Sequence, residues 1–164
     1  GPQHTRTAVL GNIPYNISSP IVMRILPELP RIVGSLLMTQ LEFTKRLAAL
    51  PSNKDYGSLS VFAQLRADVS MEFSVARGCF KPIPKVDSAV VCMTNRKTSI
   101  EQDLLDKTEK VTRAAFNQRR KKLRNSVSQF LVEGAEENSP IDLTRRADTV
   151  SPREYLVLAE YLIS

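Results

Sequence analysis

Along the chain, short apolar runs alternate with stretches in which apolar residues recur every three or four positions. Residues 7–10, with Ala8-Val9-Leu10, read as a buried strand. Ser18-Ser19-Pro20 is a cap-plus-proline helix start, and Ile21, Val22, Ile25, Leu26 and Leu29 follow at helical spacing. Pro27 should end regular helix by Leu26, because its ring removes a donor and clashes with the preceding turn. Residues 35–39 read as a second buried strand, and residues 40–50 as a helix that can bury Leu41, Phe43, Leu47 and Ala48. Strand, helix, strand, helix argues for a parallel sheet with crossover helices.

After a polar loop at 51–55, residues 58–66 are again helical, with Leu59, Phe62 and Leu65 along one side. The period then changes to two. Val69, Met71, Phe73 and Val75 alternate with Ser70, Glu72 and Ser74, the pattern of a half-buried strand. A loop rich in Gly and Pro (77–86) precedes a largely apolar strand at 88–93. Two strands with no helix between them suggest an antiparallel pair closing the sheet. Beyond Arg96 no strand is readable. Thr98-Ser99 can cap a short helix, and residues 109–132 read as nearly continuous helix with a break near Asn117. Residues 134–138 form an acidic loop, and Ser139-Pro140 and Ser151-Pro152 are two further helix starts. In the last helix, Tyr155, Leu158, Ala159 and Leu162 share one face. The expected organisation is a partial Rossmann-like α/β segment over residues 1–96 and an all-helical module over 97–164.

Composition narrows the class. A chain of 164 residues, 42% hydrophobic and 24% charged, has enough apolar material for a core. No apolar run approaches the roughly 18 residues of a membrane span. Gly1-Pro2-Gln3-His4 looks like an irregular leader, such as a protease scar, and nothing in these first residues looks like a secretory signal. Two cysteines, Cys79 and Cys92, with the single histidine His4, argue against a metal site or disulfide framework, and a cytoplasmic location is expected. The net charge of +6 points to a polyanionic partner. Its distribution is more telling. Arg119, Arg120, Lys121, Lys122 and Arg124 are five cations in six residues, with no acid between Lys110 and Glu133. Such a block repels itself unless an anion offsets it, so phosphate-backbone contact outweighs a merely solvated face.

The candidate chemistry starts at Gly11-Asn12-Ile13-Pro14-Tyr15-Asn16, which puts Asn12 and Tyr15 at a strand's carboxyl end, where open α/β sheets bind ligands. Asn-Ile-Pro-Tyr fits the [Asn/Asp]-Pro-Pro-[Tyr/Phe]-like signature of methyltransferases acting on exocyclic amines of bases. On four residues alone an ordinary turn, with Asn and Pro in turn positions, stands equally open. The loop Phe80-Lys81-Pro82-Ile83-Pro84-Lys85 sets a second aromatic on a proline-stiffened backbone between two lysines. Phe80 is then either a buried loop anchor or a second wall for a flat substrate. Lys81 and Lys85 are either a solvated loop or an extension of an RNA-binding surface.

Four blocks together make the chain resemble the KsgA family of small-subunit rRNA adenine dimethyltransferases, relatives of the Erm resistance methyltransferases. They are residues 11–18, residues 40–47 with 56–61, residues 80–88 and residues 115–126, with a weaker tail at Arg146-Ala147 and Ser151-Pro152. The resemblance implies a Rossmann-like S-adenosylmethionine domain followed by a helical RNA-binding domain. It implies dimethylation of adenine N6 in small-subunit rRNA during ribosome biogenesis, with the 30S-type subunit as partner. By the same resemblance, the Asn12 side-chain oxygen and the Pro14 carbonyl accept the amine's hydrogens, and Tyr15 and Phe80 stack a flipped base. Asn12 also lies against the cofactor. The block at 119–124 grips rRNA backbone. A non-catalytic ribosome-assembly module is the alternative of a different class. An Erm-type enzyme on large-subunit RNA ranks behind, because residues 80–88 and 116–126 look more like KsgA.

The resemblance begins in the middle of the family pattern. No Gly-x-Gly-x-Gly cofactor loop or ribose-binding acid precedes Gly11. The expectation is therefore the back half of such an enzyme, inactive in methyl transfer by itself.

Overall fold

A computed structural model describes residues 7–163, which pack as two units. The leader reading of Gly1 to His4 lies outside the described residues. One unit holds residues up to Ala48 together with Arg66–Thr98, and the other holds Ala49–Leu65 with the residues from Ser99 onward. The stretch at 49–65, expected to belong with the sheet, packs instead with the helical unit.

The first unit is built on a four-stranded sheet of order β1-β2-β4-β3, formed by β1 (Ala8–Asn12), β2 (Gly34–Gln40), β3 (Ala67–Val75) and β4 (Ser88–Asn95). β1 and β2 are parallel, joined through α1 (Ser18–Ile25) as the strand–helix–strand pattern requires. β4 runs antiparallel to both β2 and β3. The antiparallel pair closes the sheet as expected, with β4 as its inner member, which explains the apolar sequence: Ala89, Val90, Val91 and Met93 are all buried. Gly34 permits this pairing at close range, since a Cβ there would lie 3.0 Å from the Met93 carbonyl oxygen. α2 (Leu41–Ala48) follows β2 directly, its first N–H donating to the Asp87 carbonyl at 3.0 Å.

Three expectations for this unit are corrected. β1 is not buried. It forms an edge of the described sheet, and Leu10 is 74% exposed. β3 forms the other edge, and a register shift between Met71 and Phe73 breaks its alternation, so both side chains face solvent instead of a core. Ser18 and Ser19 do not cap α1 but are its first residues: the N-cap is Ile17, without a side-chain bond, and a 3-10 turn at Tyr15–Ile17 leads in. Pro27 acts as expected, converting the chain after Ile25 into a 3-10 segment (Leu26–Arg31).

In the second unit, α3 (Ser58–Arg66), α4 (Gln102–Asn117) and α7 (Pro152–Leu162) supply most of a core that includes Tyr56, Val61, Val111, Leu123, Tyr155 and Leu158. Phe116 lies between the two buried tyrosines, with ring centroids 5.9 Å from Tyr56 and 6.0 Å from Tyr155. Ser151 caps α7 in a reciprocal box with Glu154. The break at Asn117 is where expected, but the continuation to residue 132 is not one helix. It is a turn, the short α5 (Leu123–Ser126) and a 3-10 turn. Residues 122–124 pair instead with an extended segment: Leu123 N–H donates to the Arg145 carbonyl at 2.8 Å, Arg124 N–H to that of Leu143 at 3.0 Å, and Lys122 bridges Arg146. That pairing fixes extended backbone at Lys122 and prevents a continuous helix. Within 134–138, α6 (Ala135–Asn138) adds one turn of helix after Gly134 at φ 78°. Ser139-Pro140 starts none, because the Ser139 hydroxyl bonds Ile141 locally. Among the described residues no helix is long and apolar enough to cross a membrane, and no acidic, His or Cys cluster is arranged for a metal ion.

Candidate active site

β1 and its turn end beside the start of β4, and the loop between β3 and β4 folds over the same spot. The result is an open cleft of about 340 Å³ lined by residues 12–15, 80–82, 84 and 88. Four of the expected positions, Asn12, Pro14, Tyr15 and Phe80, meet there although they come from segments far apart in sequence. Lys81 joins them at the rim, exposed. Lys85 does not line the cleft.

Local bonding explains the arrangement. Ile13 N–H donates to the Met38 carbonyl at 2.9 Å, extending the parallel ladder one residue beyond Asn12. Asn12 is therefore the last strand position and its side chain is exposed at the cleft. Pro14 then turns the chain into the 3-10 segment. Its carbonyl accepts from Ile17 N–H at 3.2 Å and from Ser18 Oγ at 3.4 Å. Both lone pairs of the expected Pro14 acceptor are thus engaged. The Ile13 carbonyl, which sequence reasoning passed over, has no partner among the described residues.

The Phe80 loop is held at its base rather than by Phe80 itself. Asp87 Oδ1 accepts from Arg77 N–H at 3.0 Å, and Arg77 Nη1 donates to the Lys85 carbonyl at 3.0 Å. Phe80 is half-buried, so it is not a core anchor, and the Lys81–Pro82 bond beside it is cis. Sequence reasoning also left Ser88 without a role. Its Oγ shares a hydrogen bond of 2.8 Å with the Tyr15 hydroxyl. Only tertiary structure could reveal a contact across 73 residues.

The cleft suits a flat, neutral heterocycle with an amine edge. It has two aromatic side chains, an amide side chain and an open carbonyl, and among the described residues no carboxylate lines it. These residues do not amount to a full S-adenosylmethionine site, since no acidic side chain on the lining is available for ribose hydroxyls. Asn12, expected by resemblance to lie against the cofactor, lines the cleft.

The basic block of the second unit divides. Arg119 donates to the backbone carbonyls of Lys54 and Asn53 at 3.0 and 3.3 Å and lies 3.8 Å from Asp148. It holds the 53–54 loop. Arg120, Lys121, Lys122 and Arg124 are exposed, and no ion pair is found for them among the described residues.

A family model described as ribosomal RNA adenine dimethylase matches residues 2–164. The chain is 43% identical over 155 residues to ribosomal RNA small subunit methyltransferase A of Saccharophagus degradans, covering 94% of this chain and 58% of that protein. It is 40% identical to the protein of the same name from Chlamydia caviae, covering 95% and 58%. The chain thus spans about three fifths of the length of these curated relatives. Among solved structures, a dimethyladenosine transferase from Plasmodium falciparum superposes with a TM-score of 0.76 at 26% identity, over 92% of this chain and 64% of that one. The 23S rRNA methyltransferase ErmE superposes with a TM-score of 0.70 at 29% identity, over 99% and 68%.

Proposed function

The chain belongs to the ribosomal RNA adenine dimethylase family, and on that premise we propose that it carries the base pocket and the RNA grip of an enzyme that dimethylates adenine N6 in small-subunit rRNA. The observation that carries the reading is the convergence of Asn12, Tyr15 and Phe80 on one cleft. S-adenosylmethionine supplies the methyl group when bound.

The residues of this chain account for the acceptor side of the reaction. An adenine N6 amine is a weak nucleophile because its lone pair is delocalised into the ring. Two oxygens that accept its hydrogens draw the nitrogen toward a tetrahedral shape and free that lone pair. The Asn12 side-chain oxygen is one, and the Ile13 carbonyl takes the second place assigned to Pro14 by resemblance. Tyr15 and Phe80 hold the extruded base between them, and their π faces favour positive charge developing on nitrogen. Catalysis on this side is positioning and electrostatics, without a strong base.

In this reading the first unit holds the base, and the second contributes phosphate contacts through Arg120, Lys121, Lys122 and Arg124. The exposure of those four cations, with no ion pair found for them among the described residues, also supports a second reading, a non-catalytic assembly module. The deciding experiment measures labelled methyl transfer from S-adenosylmethionine to undermethylated small subunits. It compares this chain with one extended to the length of its relatives. Activity in the extended protein that disappears with Asn12→Ala supports the enzyme. Salt-dependent subunit binding with no methyl incorporation in either supports the assembly module and overturns the first reading.

A further inference from the structure

We propose that Ser88 is a positioning residue: its hydroxyl fixes the Tyr15 ring as a wall of the cleft. The inference rests on the reading of that cleft as an adenine pocket. Tyr15 stands in a three-residue 3-10 turn without a side-chain cap, and it is only half-buried, so local structure does not determine where its ring points. Ser88 is the opposite case. It is 2% exposed, and as the first residue of the inner strand β4 it is paired to Gln40 on one side and Val75 on the other. Its Oγ is therefore held by two neighbouring strands, and the 2.8 Å bond to the Tyr15 hydroxyl passes that rigidity to the ring.

The bond is needed by both partners. A buried serine hydroxyl left without a partner loses the hydrogen bonds it made in water. An unanchored tyrosine can change rotamer and swing out of the cleft. A stacking wall must keep its plane to contribute, so the anchor acts on base binding through Tyr15 without touching the base.

The test uses the full 164-residue chain with labelled tyrosine rings, and a short single-stranded RNA carrying 2-aminopurine, whose fluorescence falls on stacking. Without RNA, Ser88→Ala should shift the Tyr15 ring resonances and average its two edges, while methyl signals of buried Val91 in the same sheet stay in place. If Val91 moves, the reciprocal variant Tyr15→Phe is read at the Ser88 amide, where an unchanged resonance overturns the contact. With RNA, Ser88→Ala and Tyr15→Phe should each weaken quenching by about threefold to tenfold, and the double variant by no more than either. Unchanged Tyr15 resonances, or effects that multiply in the double variant, overturn the positioning role. If the parent chain does not quench but Tyr15 responds to Ser88→Ala, the adenine-pocket reading falls and the positioning contact stands.

Discussion

Arg119 points its guanidinium at the backbone of Lys54, donating to that carbonyl at 3.0 Å. It is the first cation of a basic block, yet it works as a strut within the helical unit. Arg119→Ala should therefore lower the stability of that unit by about 1 kcal/mol, the scale of a charge-assisted hydrogen bond partly screened by water. Urea unfolding would show the loss. An effect confined to RNA affinity, with stability unchanged, would contradict the assignment.

The neighbouring Arg120 and Lys121 should behave in the reverse way. Replacing both by alanine should leave unfolding within about 0.5 kcal/mol of the parent, as surface changes do. RNA affinity should drop, and the slope of log affinity against log salt should shrink by about 0.7 for each phosphate no longer neutralised. Filter binding across a salt series reads both quantities. An unchanged slope would remove these residues from the RNA surface.

Asn12→Ala should reduce methyl transfer by about a hundredfold or more in a protein extended to the length of its relatives, the scale for removing a group that acts on developing charge. RNA affinity should hold, because the cations proposed to contact phosphate are other residues. Near-normal dimethylation would sink the proposed role of the Asn12 oxygen.

Arg145 pairs with Glu154 at 2.6 Å, and this bond, with help from the Ser151 backbone, holds the Glu154 carboxyl at about 2, below its ordinary 4.5. A carboxylate with a lowered folded value contributes stability above its unfolded value, and that contribution disappears as pH falls through the folded one. Thermal unfolding midpoints should accordingly decline between about pH 5 and pH 2. Glu154→Gln should flatten that part of the profile. A parallel decline in the variant would assign the acid sensitivity elsewhere.

Tyr56 and Tyr155 are fully buried and donate to the carbonyls of Val150 at 2.7 Å and Ala147 at 2.8 Å. Burial raises both phenols well above their usual range. Tyr56→Phe removes the phenolic donor from the Val150 carbonyl, and Tyr155→Phe leaves the Ala147 carbonyl with only the Val150 N–H at 3.4 Å; each change should cost about 1–3 kcal/mol in denaturant unfolding. The carbonyls belong to neighbouring residues of one segment, so the double change should fall short of additivity.

Local chemistry made much of the architecture legible from sequence. The 3.6-residue period marked the helix at 58–66, proline marked the end of the first helix, and Ser151-Pro152 marked the start of the last. Those signals act over a few residues, yet the same cap-plus-proline pattern capped nothing at Ser18-Ser19-Pro20 and started no helix at Ser139-Pro140. The motif Asn12 to Tyr15 and the loop at Phe80 could likewise be singled out by residue type and spacing.

What the sequence could not determine depends on which partner each segment meets. Alternation in β3 predicts a buried face, but an edge position and a bulge expose Met71 and Phe73. Residues 118–132 are compatible with helix, yet pairing of 122–124 with 143–146 imposes an extended turn and short helices. Five cations in six residues look alike until the Asn53 and Lys54 carbonyls take one of them. At the cleft, sequence supplied the residue types. The local 3-10 turn occupies Pro14's carbonyl, while tertiary structure decided that Ile13's has no partner among the described residues and that Ser88 meets Tyr15. Hydrogen-bond directions across 73 residues are set by strand register, which no local pattern encodes.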